Sequence, residues 1–136
     1  MELLPGNWKN NDIDINSIPL NMLAHLGDAV YELYIRRKLI FSTKSISVLH
    51  ETTTNLVNSQ FHANLLDYLK PYLTENELNI IRRARNTNIT VSKKKDQAVH
   101  RLSTSLEALI GYLYITDLQR LDELFSLTDK YLDKIN

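Results

Sequence analysis

The chain has 136 residues, 43% of them apolar and 24% charged, and its formal net charge is zero. That size suits one domain around one core, and the neutral total excludes a uniformly cationic surface of the kind that coats nucleic acid. With no cysteine there is no disulfide framework and no thiolate metal site, and no apolar run reaches the ~18–20 residues that a membrane helix needs.

Residues 1–16 are polar, with several Asn and Asp, and read as an irregular segment without the apolar block of a leader peptide. A cytoplasmic chain with no membrane partner is the expectation. Only three glycines and three prolines interrupt the sequence, so helical periodicity dominates and an all-α fold is expected, a single domain spanning 1–136. Ser17 is the expected N-cap of a first long helix, with Ile18 and Pro19 in its first turn. Leu20, Leu23, Ala24, Gly27, Val30, Tyr31 and Tyr34 then recur at helical spacing, and Arg36, Arg37 and Lys38 suit a C-terminal end near Leu39. A second helical region is expected from Ser45 towards Tyr68. A bend is expected at Thr52, Thr53 and Thr54, where β-branching lowers helix propensity, and Pro71 ends the region. Thr74 and Glu77 have the spacing of a capping box. They open a third helix with Leu78, Ile81 and Ala84 on one face, ending near Asn86. Residues 87–93 read as an exposed loop. A fourth helix is expected from about Lys95 to Ile115, and a fifth from about Leu118 to Ile135 with Asp117 as its cap.

Charge is segregated along this chain. Arg82, Arg83, Arg85, Lys93, Lys94, Lys95 and Arg101 form a basic strip opposed only by Asp96, whereas the last segment, 117–136, is acidic. A neutral protein with such a strip can hold an anionic partner. Three lysines at a helix N-terminus oppose the helix dipole, which favours a role outside helix stability. The alternatives are a solvated helix start for the lysines, and pairing with the acids of the last helix for the arginines.

Two glycines fall inside predicted helices, Gly27 and Gly111, and each lies close to an acid, Asp28 and Glu107 respectively. A helical glycine costs about 1 kcal/mol relative to alanine, and a carboxylate on an apolar helix is worse unless something neutralises it. Glycine does, however, admit a second backbone. If the two helices cross at these glycines, Asp28 and Glu107 converge. Two carboxylates in a partly apolar crevice then take up a proton or hold a cation. A hard divalent ion such as Mg²⁺ favours such oxygen ligands and keeps several waters. The plainer alternative is that each acid pairs with Lys or Arg, or sits at the solvent edge.

The motifs themselves are informative. "HLGDAVYE", residues 25–32, resembles the signature helix of the ribonuclease III superfamily, with its L-G-D-A core. "LEALIGYLY", residues 106–114, resembles that superfamily's second acidic helix, and "RRARNTN", residues 82–88, resembles the basic R-x-R-N segment that precedes this helix in the Mini-ribonuclease III family. With no double-stranded-RNA-binding domain among these residues, the resemblance narrows to the Mini-ribonuclease III family and covers roughly residues 18–116. It implies a ribonuclease III-like helical endonuclease domain that cleaves double-stranded RNA with Mg²⁺, leaving 5′-phosphate and 3′-hydroxyl ends. It further implies a role in maturation of large-subunit (23S) ribosomal RNA.

On the same resemblance, Asp28 and Glu107 are the catalytic and metal-binding acids. Glu32, one turn past Asp28, is either a further ligand, an acid that orients the others, or an exposed acid paired with Arg36. Arg82, Arg83, Arg85, Lys93, Lys94 and Lys95 are the candidate RNA-binding residues. The sequence departs from full-length ribonuclease III at Ala24 and Thr104, where that family carries further acids, so few protein ligands and weak metal binding without substrate are expected. The family also implies a homodimer, with part of the set Leu23, Leu26, Val30, Tyr31 and Tyr34 packed against the second subunit; the rival reading puts them all in the protomer's own core. A ribosomal protein is a candidate helper in presenting precursor RNA.

His25, His50, His62 and His100 show no metal-ligand spacing. His25 either hydrogen-bonds Asp28 or is an ordinary surface histidine. The competing function is a non-catalytic all-helical RNA-binding adaptor with the same fold.

Overall fold

The first long helix starts later than its sequence suggests. In the computed structural model, which describes residues 14–87 and 94–135, Ser17 closes a short 3₁₀ helix, Ile15–Ser17, and its hydroxyl donates to the Asp14 carbonyl at 2.7 Å. The long helix α1, Leu20–Leu39, begins after Pro19, which stands at the N-cap without a side-chain cap bond. Ser17 is thus two residues too early, and the proline's fixed φ sets the start instead.

The second helical region breaks at Asn58, not at the threonines. Helix α2, Ile46–Val57, is capped by the Ser45 side chain. Helix α3, Ser59–Leu69, is capped by Asn58, whose side-chain oxygen accepts from the Phe61 N–H at 2.8 Å. Thr53 and Thr54 stay helical, their hydroxyls donating to the carbonyls four residues back, those of Leu49 and His50. A 3₁₀ turn, Lys70–Tyr72, comes next at Pro71. Helix α4, Glu75–Arg85, opens with the expected capping box. Helix α5 runs Lys94–Thr116 and α6 Leu118–Ile135, with Asp117 accepting from the Arg120 N–H at 3.0 Å. The architecture is all-α, with no strand among the described residues.

Helix α5 is the axis of the fold. It pairs most extensively with α1, then with α4 and α3, while α6 closes against α3 and α5. Leu106, Leu109, Ile110 and Leu113 of α5 are buried with Val30, Tyr31, Tyr34 and Ile35 of α1. The tyrosines are anchored inside the protomer. Tyr31 donates to the Leu56 carbonyl at 2.8 Å, and Tyr34 donates to Asp129 and stacks on Phe125 with ring centroids 4.1 Å apart. Leu23, Val30, Tyr31 and Tyr34 therefore face the protomer's own core, and only Leu26 of that set is half-buried. The large apolar side chains α1 does expose are Met22 and Leu33.

Glu77 does more than cap. It is 3% exposed, and the Arg120 guanidinium grips both its oxygens at 2.8 and 2.9 Å while also donating to the Tyr72 carbonyl. Burial alone would raise the Glu77 pKa, but the Arg120 and Thr74 hydrogen bonds outweigh it and hold the carboxyl below its ordinary range. This fork ties the start of α4 to the start of α6.

Candidate functional site where two helices touch

Helices α1 and α5 meet backbone to backbone. A Cβ added to Gly27 would lie 1.7 Å from the Glu107 carbonyl oxygen and 2.8 Å from the Gly111 nitrogen. One added to Gly111 would lie 2.0 Å from the Leu23 carbonyl oxygen. No side chain fits at either position, so both glycines serve close approach.

That approach sets Asp28, the residue after Gly27, beside Glu107. Asp28 opens to solvent, yet its carboxyl pKa is raised, first by partial burial, then by the charges of Glu107 and Glu32. Glu107 is more enclosed, its side chain 17% exposed. Its Oε1 accepts from the Ser103 hydroxyl at 2.8 Å. Behind Ser103 stands His62 of α3, 1% exposed, with Nδ1 3.0 Å from the Ser103 oxygen and 3.5 Å from Glu107 Oε1. Its ring meets Tyr31 edge-on at 4.5 Å. Neither Asp28 nor Glu107 makes a salt bridge to lysine or arginine among the described residues. That leaves the pair available to a hard cation.

Glu32 Oε1 lies 2.7 Å from Arg36, and its charge also reaches Asp28. Among the described residues no group of three or more His, Asp or Glu converges as a metal cage. The donor set is two carboxylates, which fits Mg²⁺ with water filling most of its shell. His25 reaches Asp28 only through its charge. Ala24 is 5% exposed and packs with Ala84 and Ala108 where three helices meet.

His62 and Ser103 do not stand out in the sequence. A signal is there in part: His62 shares a helical face with Leu65, Leu66 and Leu69, all buried, and Ser103 precedes Glu107 by one turn. What no spacing reveals is that α3 brings His62 to α5.

Of the basic strip, Arg82, Arg83 and Arg85 are exposed on α4. Arg82 donates to Asn79 at 2.8 Å, and none of the three makes an ion pair with a described residue of α6. Arg101 is half-buried with its Nε unpartnered, so it leaves the solvent-facing strip. Lys93 lies outside the described residues, as do the side chains of Lys94 and Lys95 at the start of α5.

Fold and site together define a helical domain in which two acid-bearing helices are clasped through paired glycines. Residues 21–118 match the family model of the Ribonuclease III domain, and the chain belongs to that family. Its relatives narrow the assignment. It is 39% identical over 119 residues to "Mini-ribonuclease 3" of Gloeobacter violaceus, covering 88% of each chain. It is 43% identical over 120 residues to the Streptococcus pneumoniae protein of the same name, covering 84% of this chain and 93% of that one. Within the family it is a member of the Mini-ribonuclease 3 group. A crystal structure of a Fusobacterium nucleatum protein superposes with a TM-score of 0.78 at 27% identity, over 88% of this chain and 99% of that one. No described helix is long and apolar enough to cross a membrane.

Proposed function

We propose that this chain is a Mg²⁺-dependent endoribonuclease that cleaves double-stranded RNA, acting in the cytoplasm on precursor large-subunit (23S) ribosomal RNA. The observation that carries the reading is the glycine-mediated contact of α1 and α5, with Asp28 feeling the charge of Glu107, in a chain whose relatives are named Mini-ribonuclease 3. Asp28 and Glu107 are the residues that would hold Mg²⁺. Bound there, the ion would supply Lewis acidity toward a phosphate and toward water. The chain's own contribution is a pair of carboxylates, one solvent-facing and one hydrogen-bonded by Ser103, on helices that meet backbone to backbone. Hydrolysis adds the water oxygen to phosphorus and breaks the bond to the 3′ oxygen, so the ends are 5′-phosphate and 3′-hydroxyl.

A-form RNA has a narrow major groove and is recognised by backbone shape and charge. Arg82, Arg83 and Arg85, with Lys93, Lys94 and Lys95, are the candidate phosphate ligands. A variant with Arg82, Arg83 and Arg85 all changed to Gln is expected to bind duplex more weakly. The slope of log K against log salt should fall by about one for each phosphate that the variant no longer neutralises. An unchanged slope in a filter-binding titration would remove these arginines from the RNA surface.

Two strands are cut most simply by two symmetric sites. Beyond the end of α1, Phe41 is 95% exposed, next to Ile40 and close in sequence to the exposed Ile46 and Val48. Ile40, Ile46, Leu49 and Val57 line an open cleft of about 210 Å³ that Glu32 and Arg36 rim. A homodimer through this face, with Phe41 of each copy set against the other's cleft, is part of the proposal. One experiment tests both parts: incubate the pure chain with a long RNA duplex, with Mg²⁺ or with a chelator, and measure its mass by sedimentation. Cleavage of RNA duplex but not DNA duplex, only with Mg²⁺, by a protein of dimer mass is expected. A folded protein that binds duplex but leaves it intact at every salt and Mg²⁺ concentration would return the adaptor reading, and a monomer mass would remove the dimer.

A further inference from the structure

We propose that His62 is a positioning residue for Glu107, fixing through Ser103 which carboxylate oxygen faces the crevice between α1 and α5. The inference rests on reading Asp28 and Glu107 as the cation-binding pair. The hydroxyl of Ser103 has one proton and gives it to Glu107 Oε1 at 2.8 Å. Toward His62, 3.0 Å away, the same oxygen can then only accept, so the imidazole hydrogen sits on Nδ1. Nε2, on the far side of the ring, is buried with no hydrogen-bond partner among the described residues. A bare lone pair suits that position, whereas an N–H there would be a buried orphan donor. Tyr31 packs T-shaped against the ring, centroids 4.5 Å apart.

The donor chain therefore runs one way, from imidazole to hydroxyl to carboxylate. It engages Oε1 and leaves Oε2 without a protein partner among the described residues. A role in packing alone does not explain this histidine. At 1% exposure, with one nitrogen unmatched, it carries a desolvation cost that a leucine of similar size would not. What the imidazole adds is a directed N–H to the Ser103 oxygen, whose own proton goes to the Glu107 carboxylate.

Three measurements test this. ¹⁵N NMR of the imidazole ring at neutral pH reads the tautomer, and the Nδ1–H form is expected for His62. Mn²⁺ titration followed by water-proton relaxation reads cation affinity without RNA. Duplex cleavage against Mg²⁺ concentration reads the same dependence in turnover. His62→Leu should weaken Mn²⁺ binding and raise the Mg²⁺ needed for half-maximal cleavage by roughly 10–100-fold. His62→Asn, whose Nδ2 can stand where Nδ1 stood, should recover most of that loss, and Ser103→Ala should move with the leucine variant.

Helical circular dichroism confirms that each variant folds, and if His62→Leu does not, Ser103→Ala and His62→Asn decide. An Nε2–H tautomer, or folded variants that bind Mn²⁺ as the wild type does, would overturn the proposal. So would an absence of Mn²⁺ binding by the wild type. A wild-type protein that shows the tautomer and the His62-dependent Mn²⁺ affinity but cuts no RNA would sink the nuclease reading and leave this one standing.

Discussion

Gly27→Ala is expected to lower the melting temperature by at least about 10 °C, although helix propensity alone would raise stability by about 1 kcal/mol. The two effects oppose each other, and the geometry decides between them. The new methyl would sit 1.7 Å from the Glu107 carbonyl oxygen and 2.7 Å from its carbon. Those are backbone atoms of the central helix, so no side chain can swing aside. Overpacking a core costs ~1–3 kcal/mol when side chains can adjust; here α1 and α5 must move apart, which loosens the packing of Leu106, Leu109, Ile110, Tyr31 and Ile35, all at most 3% exposed. Against a typical total stability of ~5–15 kcal/mol, that is a large fraction. Gly111→Ala should act alike, its methyl 2.0 Å from the Leu23 carbonyl oxygen, and the double variant should lose less than the sum, because once the helices have separated the second methyl has room. Thermal denaturation monitored by circular dichroism checks this. A melting temperature equal to or above that of the wild type for either single variant would mean that the helices do not touch at the glycines.

That helix crossing is the most legible feature of the sequence. Glycine and acid paired twice, once on each of two apolar helices, have few purposes other than bringing backbones and carboxylates together, and the local signals at Thr74 and Asp117 are chemically specific enough to place helix starts. The features that escape are long-range or depend on small margins. Asn58 breaks the second helical region because its side chain caps α3, and the neighbouring threonines resemble a break just as well until their hydroxyls are seen bonding back along the helix. The apolar excess on α1 suggests a subunit interface, but Tyr31 and Tyr34 find carbonyl and carboxylate partners on α2 and α6 that no spacing announces. Glu77 is readable as a cap and not as half of an ion pair, because Arg120 is 43 residues away in sequence. His62 has no ligand-like spacing to mark it, since its partner Ser103 is 41 residues on. Local periodicity reports which face of a helix is buried, and only packing reports what that face meets.

Asp28→Asn separates chemistry from stability, and should move them in opposite directions. Cleavage of duplex RNA is expected to fall by more than the ~10–100-fold that loss of an outer partner of a metal ligand costs, because Asp28 is one of only two carboxylates in the proposed site. The melting temperature at neutral pH is expected to rise. The sign comes from the raised pKa of Asp28, caused by burial and by Glu107 and Glu32. A carboxyl whose pKa is higher folded than unfolded favours the native state while protonated. Its contribution is fully present below the ordinary aspartate range and is lost as pH climbs through the raised value. At neutral pH the wild type therefore bears a repulsion that asparagine lacks, and the variant's advantage should shrink to nothing as pH falls through the carboxylate range. Mg²⁺ should narrow the gap from the other side by stabilising the wild type, which binds it, and not the variant. Melting curves across pH, with and without Mg²⁺, read all three effects. A variant less stable than the wild type at neutral pH without metal would show that Asp28 is held by a favourable partner and not crowded by Glu107, and the case for a shared cation would lose its physical basis.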